Sequence, residues 1–217
     1  MKQDVRRSIR AETLKLLSLP ATYLTALGTF AVSVLLAVAF GHAARQGGTS
    51  ALDAGLATVA YSQAGFLVLG VITATSEYQG GQIRTTLTAL PRRVVQHLAK
   101  LVSLALFALP VAAATTFAGI ATAAILVGDM PSGLLRMIGA SAGLTLSAVL
   151  AGAVATVVRR SIPALAVLLG YYFIVGPLLR DRAGFAKYLP DAGTGVLIAW
   201  VVLAVAISAA TFRARDA

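Results

Sequence analysis

The sequence predicts an all-α membrane protein, one domain over residues 1–217 with six membrane-crossing helices. Three observations carry that prediction. Six apolar runs, at residues 21–40, 54–75, 101–127, 134–158, 161–179 and 195–212, are separated by polar or basic intervals. At about 1.5 Å per helical residue, runs of roughly twenty residues cross a hydrocarbon core of about 30 Å. The chain is 58% hydrophobic and only 12% charged, far from the quarter or so of charged residues usual in soluble domains. Finally, its Lys and Arg residues fall mostly on one set of alternate connections, as they do when the membrane sorts them.

Taken in order, residues 1–20 form a predicted basic amphipathic helix. Val5, Ile9 and Leu16 fall near one face and Arg6 and Arg10 on another. Such a helix lies in the interface with its stems buried and its charged heads in water; the alternative is a solvated arm. The first run is too long for the core of a secretion signal, and is read as an uncleaved span although Ala37-Val38-Ala39 resembles a cleavage site. Residues 41–53 are a short polar connection. The second run carries Tyr61-Ser62-Gln63, and the third carries Pro110, a predicted kink, followed by Thr115-Thr116. Residues 128–132, Gly-Asp-Met-Pro-Ser, are a turn.

The fourth run places Gly139, Gly143, Ser147, Ala151 and Ala155 four residues apart. Small residues at that spacing let a second helix approach closely, unless the stripe is a chance product of an Ala/Gly-rich chain. Arg159-Arg160 marks the next turn. The fifth run, residues 161–179, ends with Gly176-Pro177, a poor place to continue a helix, since proline denies it a donor. Residues 180–194 are polar and broken by Gly184, Pro190 and Gly193, and the sixth run ends at Arg213 and Arg215.

The most informative interval is residues 76–100, basic through Arg84, Arg92, Arg93 and Lys100. Ile83, Leu87 and Leu90 recur at i, i+4 and i+7, one face of a short helix. Gly80-Gly81 precedes it and Pro91 closes it. A basic helix from Arg92 to Lys100 then leads into the third span. The pattern is that of a docking element: a stub helix with an apolar face, held at the membrane surface.

Glu77-Tyr78, Gly81, Ile83-Arg84-Thr85-Thr86-Leu87, Pro91-Arg92-Arg93 and Lys100 resemble the permeases of type-two ABC transporters. Glu12-Thr13-Leu14-Lys15 and Lys187-Tyr188-Leu189-Pro190 extend the resemblance toward both ends, while Gln82 stands where that family more usually has Thr or Met. The resemblance implies that residues 76–100 join the second and third spans and carry the coupling helix that contacts an ATPase subunit. It assigns coupling to Glu77, Gly81, Ile83, Arg84, Leu87, Leu90, Pro91 and Arg92. In that family, the region around 180–194 forms short helices dipping back at the outer face.

Charge sets the expected orientation. With the N-terminus inside, thirteen of the eighteen basic residues fall on cytoplasmic segments, against Arg45, Arg136, Arg180, Arg182 and Lys187 outside. Both termini are then cytoplasmic, the membrane is the plasma membrane, and the net charge of +10 needs no nucleic acid.

Away from their ends the six runs contain no Lys, Arg, Asp, Glu or His, whereas ion-coupled carriers keep such groups despite a cost of at least about 2.5–3.5 kcal/mol. There is no Cys, and His42 and His97 fall in connections expected on opposite sides, so no metal site is predicted. No catalytic set and no phosphate-binding Gly-x-x-x-x-Gly-Lys loop is found; the Gly80-Gly81 neighbourhood only superficially resembles an ATPase signature.

The expectation is a non-enzymatic permease subunit of an ATP-driven exporter. It would hold no cofactor itself, with ATP and Mg bound by partner ATPase subunits, and would pair with a second copy or a sister permease among membrane lipids. The alternative is a non-transporting membrane immunity or assembly factor; a membrane-embedded transferase is disfavoured by the lack of clustered acids, bases or metal ligands. Tyr61, Ser62, Gln63, Tyr171 and Tyr172 are candidates for a substrate path, or else interhelical hydrogen bonds worth under about 2 kcal/mol each. Glu77 either pairs with Arg84, Arg92 or Arg93 to fix the loop or is a solvated interfacial carboxylate.

Overall fold

The computed structural model describes residues 2–79, 93–180 and 186–215, and among these there is no strand. Seven helices account for nearly all of them: α1 (Lys2–Ser18), α2 (Pro20–Gly47), α3 (Ala51–Gln79), α4 (Arg93–Val127), α5 (Leu134–Val158), α6 (Ser161–Arg180) and α7 (Thr194–Arg215). A 3-10 turn, Ala186–Tyr188, precedes α7. α2 to α7 are each long and apolar enough to cross a membrane. Large apolar side chains such as Leu24, Leu27 and Leu35 of α2 and Val202 of α7 are exposed on their outer faces, where hydrocarbon rather than water is their natural surround. The chain is a multi-pass membrane protein.

Helix ends follow local chemistry more than hydropathy. Pro20 opens α2 at its first turn, where its missing N–H costs nothing. The polar connection expected over 41–53 is mostly helical. α2 runs on through His42 and Arg45 to Gly47, and only Gly48–Ser50 intervene before α3. Polarity does not end a helix; a cap does. Gly48 takes the left-handed conformation (φ 71°) and returns its N–H to the Ala44 carbonyl. The Ser50 hydroxyl accepts the Asp53 N–H at 3.1 Å and donates to the Asp53 carboxylate at 2.7 Å, fastening the start of α3.

The fifth span holds its helix through a place poor for continuing one. α6 crosses Gly176-Pro177 and reaches Arg180, by widening into a π turn over Tyr171–Val175. The Gly176 N–H bonds back five residues to the Tyr171 carbonyl. The wider turn accommodates the proline just beyond it.

α4 begins at Arg93, two turns before its apolar run, where the basic helix leading into the third span was expected, so His97 and Lys100 are helical; His42 lies in α2. Pro110 sits inside α4, which remains helical on both sides of it. α1 is not a free interfacial helix. It packs against the first turns of α4, where the Ser103 hydroxyl donates to the Ile9 carbonyl at 3.1 Å and Leu16 is buried. Leu14 and Leu17 face outward.

α3 occupies the centre, touching α2, α4, α5 and α6; α5 in turn touches α4, α6 and α7. The largest apolar cluster joins Leu67 and Val71 of α3, Leu150 and Ala153 of α5, Leu168 of α6 and Val201 of α7. The backbone approach that makes this possible is built from small residues. A Cβ on Gly70 would meet the Ala148 carbonyl oxygen and come within 2.9 Å of the Ala151 Cβ. The four-residue stripe of α5 therefore serves close packing in part. Ser147, Ala151 and Ala155 are fully buried, but a Cβ on Gly139 or Gly143 would meet nothing within 4 Å. The stripe divides at Ser147.

Candidate functional site

That division opens a cleft of about 450 Å³ between α3, α5, the end of α6 and the start of α7. Its α3 wall carries Leu56, Val59 and Gln63, and its α5 wall carries Arg136, Gly139, Gly143 and Leu144. Arg180, Asp191, Thr194 and Leu197 close the far side. Asp53 meets Arg136 and Gln63 meets Ser147, so α3 and α5 run parallel. The cleft lies toward the end where both helices start.

Asp191 organises the mouth. Its carboxylate accepts the Tyr171 hydroxyl on one oxygen at 2.9 Å and the Arg180 guanidinium on the other at 2.6 Å. The π turn prepares this arrangement. Gly176, at its end, leaves room for the carboxylate, since a Cβ there would stand 3.1 Å from Asp191 Oδ2. The strand of chain before α7 is secured a second time where the Trp200 indole N–H donates to the Tyr188 carbonyl at 2.9 Å. Residues 186–193 thus fold back over the end of α6. Arg136 pairs with Asp53 at 2.8 Å.

At the floor, the Gln63 amide donates to the Ser147 hydroxyl at 2.9 Å, and Ser147 passes its own proton to the Gly143 carbonyl. The buried Tyr172 hydroxyl lies beside Ser147 without completing a hydrogen bond of ordinary geometry. Tyr172 stacks edge-on against Tyr171 with ring centroids 5.2 Å apart.

Of the residues singled out for a substrate path, the fold brings Gln63, Tyr171 and Tyr172 into one neighbourhood around Ser147 and Asp191. It leaves two of them elsewhere. Tyr61 is half-exposed and rests on Phe40 with centroids 5.8 Å apart. Ser62 is buried and spends its hydroxyl on the Thr58 carbonyl at 2.9 Å. Of the coupling residues, Gly81, Ile83, Arg84, Leu87, Leu90, Pro91 and Arg92 lie outside the described residues. Glu77 sits in the last turns of α3, its side chain likewise outside them.

Sequence reasoning did not find Asp191, Arg180 or Ser147 as partners, because they meet only through the tertiary fold. A signal for the first two existed: an acid and an arginine flanking a polar interval that interrupts two apolar runs. At the opposite end of the bundle, His97 is buried and its Nε2 lies 2.8 Å from the Ser208 hydroxyl of α7. Lys100 beside it donates to the Ala74 carbonyl at 3.3 Å. No family model matches this chain, and no curated protein matches it either.

Proposed function

We propose that this chain is the membrane-spanning subunit of an ATP-driven exporter, coupled through residues 76–100 to a separate ATPase and paired with a second copy or a sister permease. One observation carries the reading. Between two spans stands a basic interval whose apolar residues, Ile83, Leu87 and Leu90, recur at helical spacing and whose sequence resembles a coupling helix. Two features support it. α3 ends at Gln79 and α4 starts at Arg93, both at the end of the bundle that also holds α1 and the close of α7. Its segments carry most of the basic residues of the sequence, the bias that the positive-inside rule associates with a cytoplasmic face, and this supports a plasma-membrane protein with both termini inside. The cleft at the other end is then open toward the outside.

The test is co-purification of the ATPase with the intact chain from its own membrane, followed by ATP turnover in the reconstituted complex. If Ile83 and Leu87 seat in an ATPase groove, burying each contributes about 1.5–3 kcal/mol. Ile83→Ser with Leu87→Ser should then weaken association on the order of 10²-fold or more, while the six-span body still inserts. Unchanged association and turnover in the double variant would return residues 76–100 to the status of a plain loop. The reading would then pass to a non-transporting membrane binding protein.

A further inference from the structure

The cleft is graded in polarity along its length, and coupling to an ATPase makes no use of that gradient. At the mouth, Arg136 and Arg180 line one opening. Each engages its carboxylate through one terminal nitrogen, leaving most of its five N–H donors without a partner among the described residues. Both arginine side chains are more than half exposed, as is that of Asp53, while the Asp191 side chain is only 9% exposed and is engaged by Tyr171 and Arg180. The mouth thus presents two arginines whose carboxylate partners each occupy only one terminal nitrogen. A guanidinium fork is matched to a phosphate, sulfate or carboxylate group.

Between that mouth and the Gln63 amide at the floor, the walls are apolar through Leu56, Val59, Leu144 and Leu197, with space where Gly139 and Gly143 carry no side chain. Farther along α5, Leu150 and Val154 lie on the same helical face as Gly139 and Gly143. With Trp200 and Ala204 of α7 they line a wholly apolar groove of about 230 Å³. From Gly143 to Val154 this face rises about 16 Å.

We propose that the cleft binds an anionic amphiphile, its acidic headgroup between Arg136 and Arg180 and its hydrocarbon tail along the α5–α7 groove. A free inorganic anion would use the mouth but gain nothing from the groove. A cationic amphiphile would gain the groove but meet two guanidiniums. The inference does not rest on the exporter reading, because binding is a property of this chain alone.

Trp200 is the only tryptophan in the sequence and lines the groove, so its fluorescence reports on the tail. The purified full-length chain in neutral maltoside micelles is titrated with dodecyl phosphate carrying a brominated tail. Saturable quenching is expected. Arg136→Ala with Arg180→Ala should raise the half-saturation concentration at least tenfold, about 1.4 kcal/mol. Gly143→Leu should abolish the saturable phase by filling the cleft. It alters a position where an added Cβ meets nothing within 4 Å, and a thermal-unfolding scan checks its fold. The same brominated tail on a trimethylammonium head measures simple partition into the micelle and should quench without saturating. Equal half-saturation for the two headgroups, an unchanged titration in Gly143→Leu, or displacement of the amphiphile by equimolar inorganic phosphate would each overturn the proposal.

Discussion

Gly70 is the position at which the packing argument can be tried most severely. A Cβ placed there would stand 2.9 Å from the Ala151 Cβ and 3.0 Å from the Ala148 carbonyl carbon, with the Ala148 oxygen nearer still. Ordinary carbon–carbon contact is about 3.5–4.0 Å and the carbonyl oxygen overlaps more deeply than either carbon, so Gly70→Ala forces α3 and α5 apart by about 1 Å or more. A gap of that size forfeits about half of the dispersion attraction at each affected contact. Here the obstruction is backbone, which cannot rotate away as a side chain would. The cost should fall at the upper end of the range for overpacking, about 3 kcal/mol. Gly143→Ala on the facing helix is the matched control: its Cβ meets nothing within 4 Å, and the gain in helix propensity makes it neutral or stabilising by up to about 1 kcal/mol. Reversible unfolding of both variants in mixed micelles, titrated with a denaturing detergent, measures the two against the unmodified chain. If Gly70→Ala is as stable as Gly143→Ala, the small residues of α5 are not what holds α3 in place.

Two further outcomes follow from the same structure. Ser208→Ala removes a hydroxyl 2.8 Å from the buried His97 imidazole and should cost about 1–2 kcal/mol in the same unfolding assay, whereas Ser18→Ala, at an exposed hydrogen bond, should stay within about 0.5 kcal/mol; equal costs would mean that the His97–Ser208 contact contributes nothing. The chain has no cysteine, so single cysteines report topology directly: Ser50→Cys and Ala183→Cys should react with an impermeant thiol reagent on intact cells and Ser8→Cys and Thr88→Cys should not, the reverse pattern inverting the orientation.

The six spans were legible because hydropathy sums residue by residue and needs no tertiary knowledge. Their ends were less so, for a physical reason visible at His42 and Arg45: an interfacial helix tolerates polar residues until a cap stops it, and Gly48 is that cap. Pro177 shows the same limit of local rules within a span whose bounds were expected. A proline ends a regular α-helix, but a π turn one step earlier supplies the room it needs. The stripe from Gly139 to Ala155 was readable as a periodicity, yet its division into a packed half and an open half depends on which residues of α3 stand opposite. The Asp191 site was the least legible, since Tyr171 and Asp191 are twenty residues apart and belong to no periodic pattern.

What stands between α3 and α5 at successive levels explains why the cleft lies where it does. At Gly70 nothing intervenes, and backbone meets backbone. At Gln63 the gap is crossed by an amide reaching the Ser147 hydroxyl. At the start of both helices it takes an arginine, Arg136, to reach Asp53. The connecting group lengthens steadily toward one end, as it must between two parallel helices pinned together at the other. Dispersion and backbone contact hold the pinned end, and they cannot be satisfied at the splayed end without bulky apolar side chains. Gly139 and Gly143 supply none. The empty volume is thus kept by sequence rather than left by poor packing, and the two arginine–carboxylate pairs hold its rim at a fixed width. Walls left without packing partners forfeit dispersion contacts, and the amphiphile proposed above would restore them on binding.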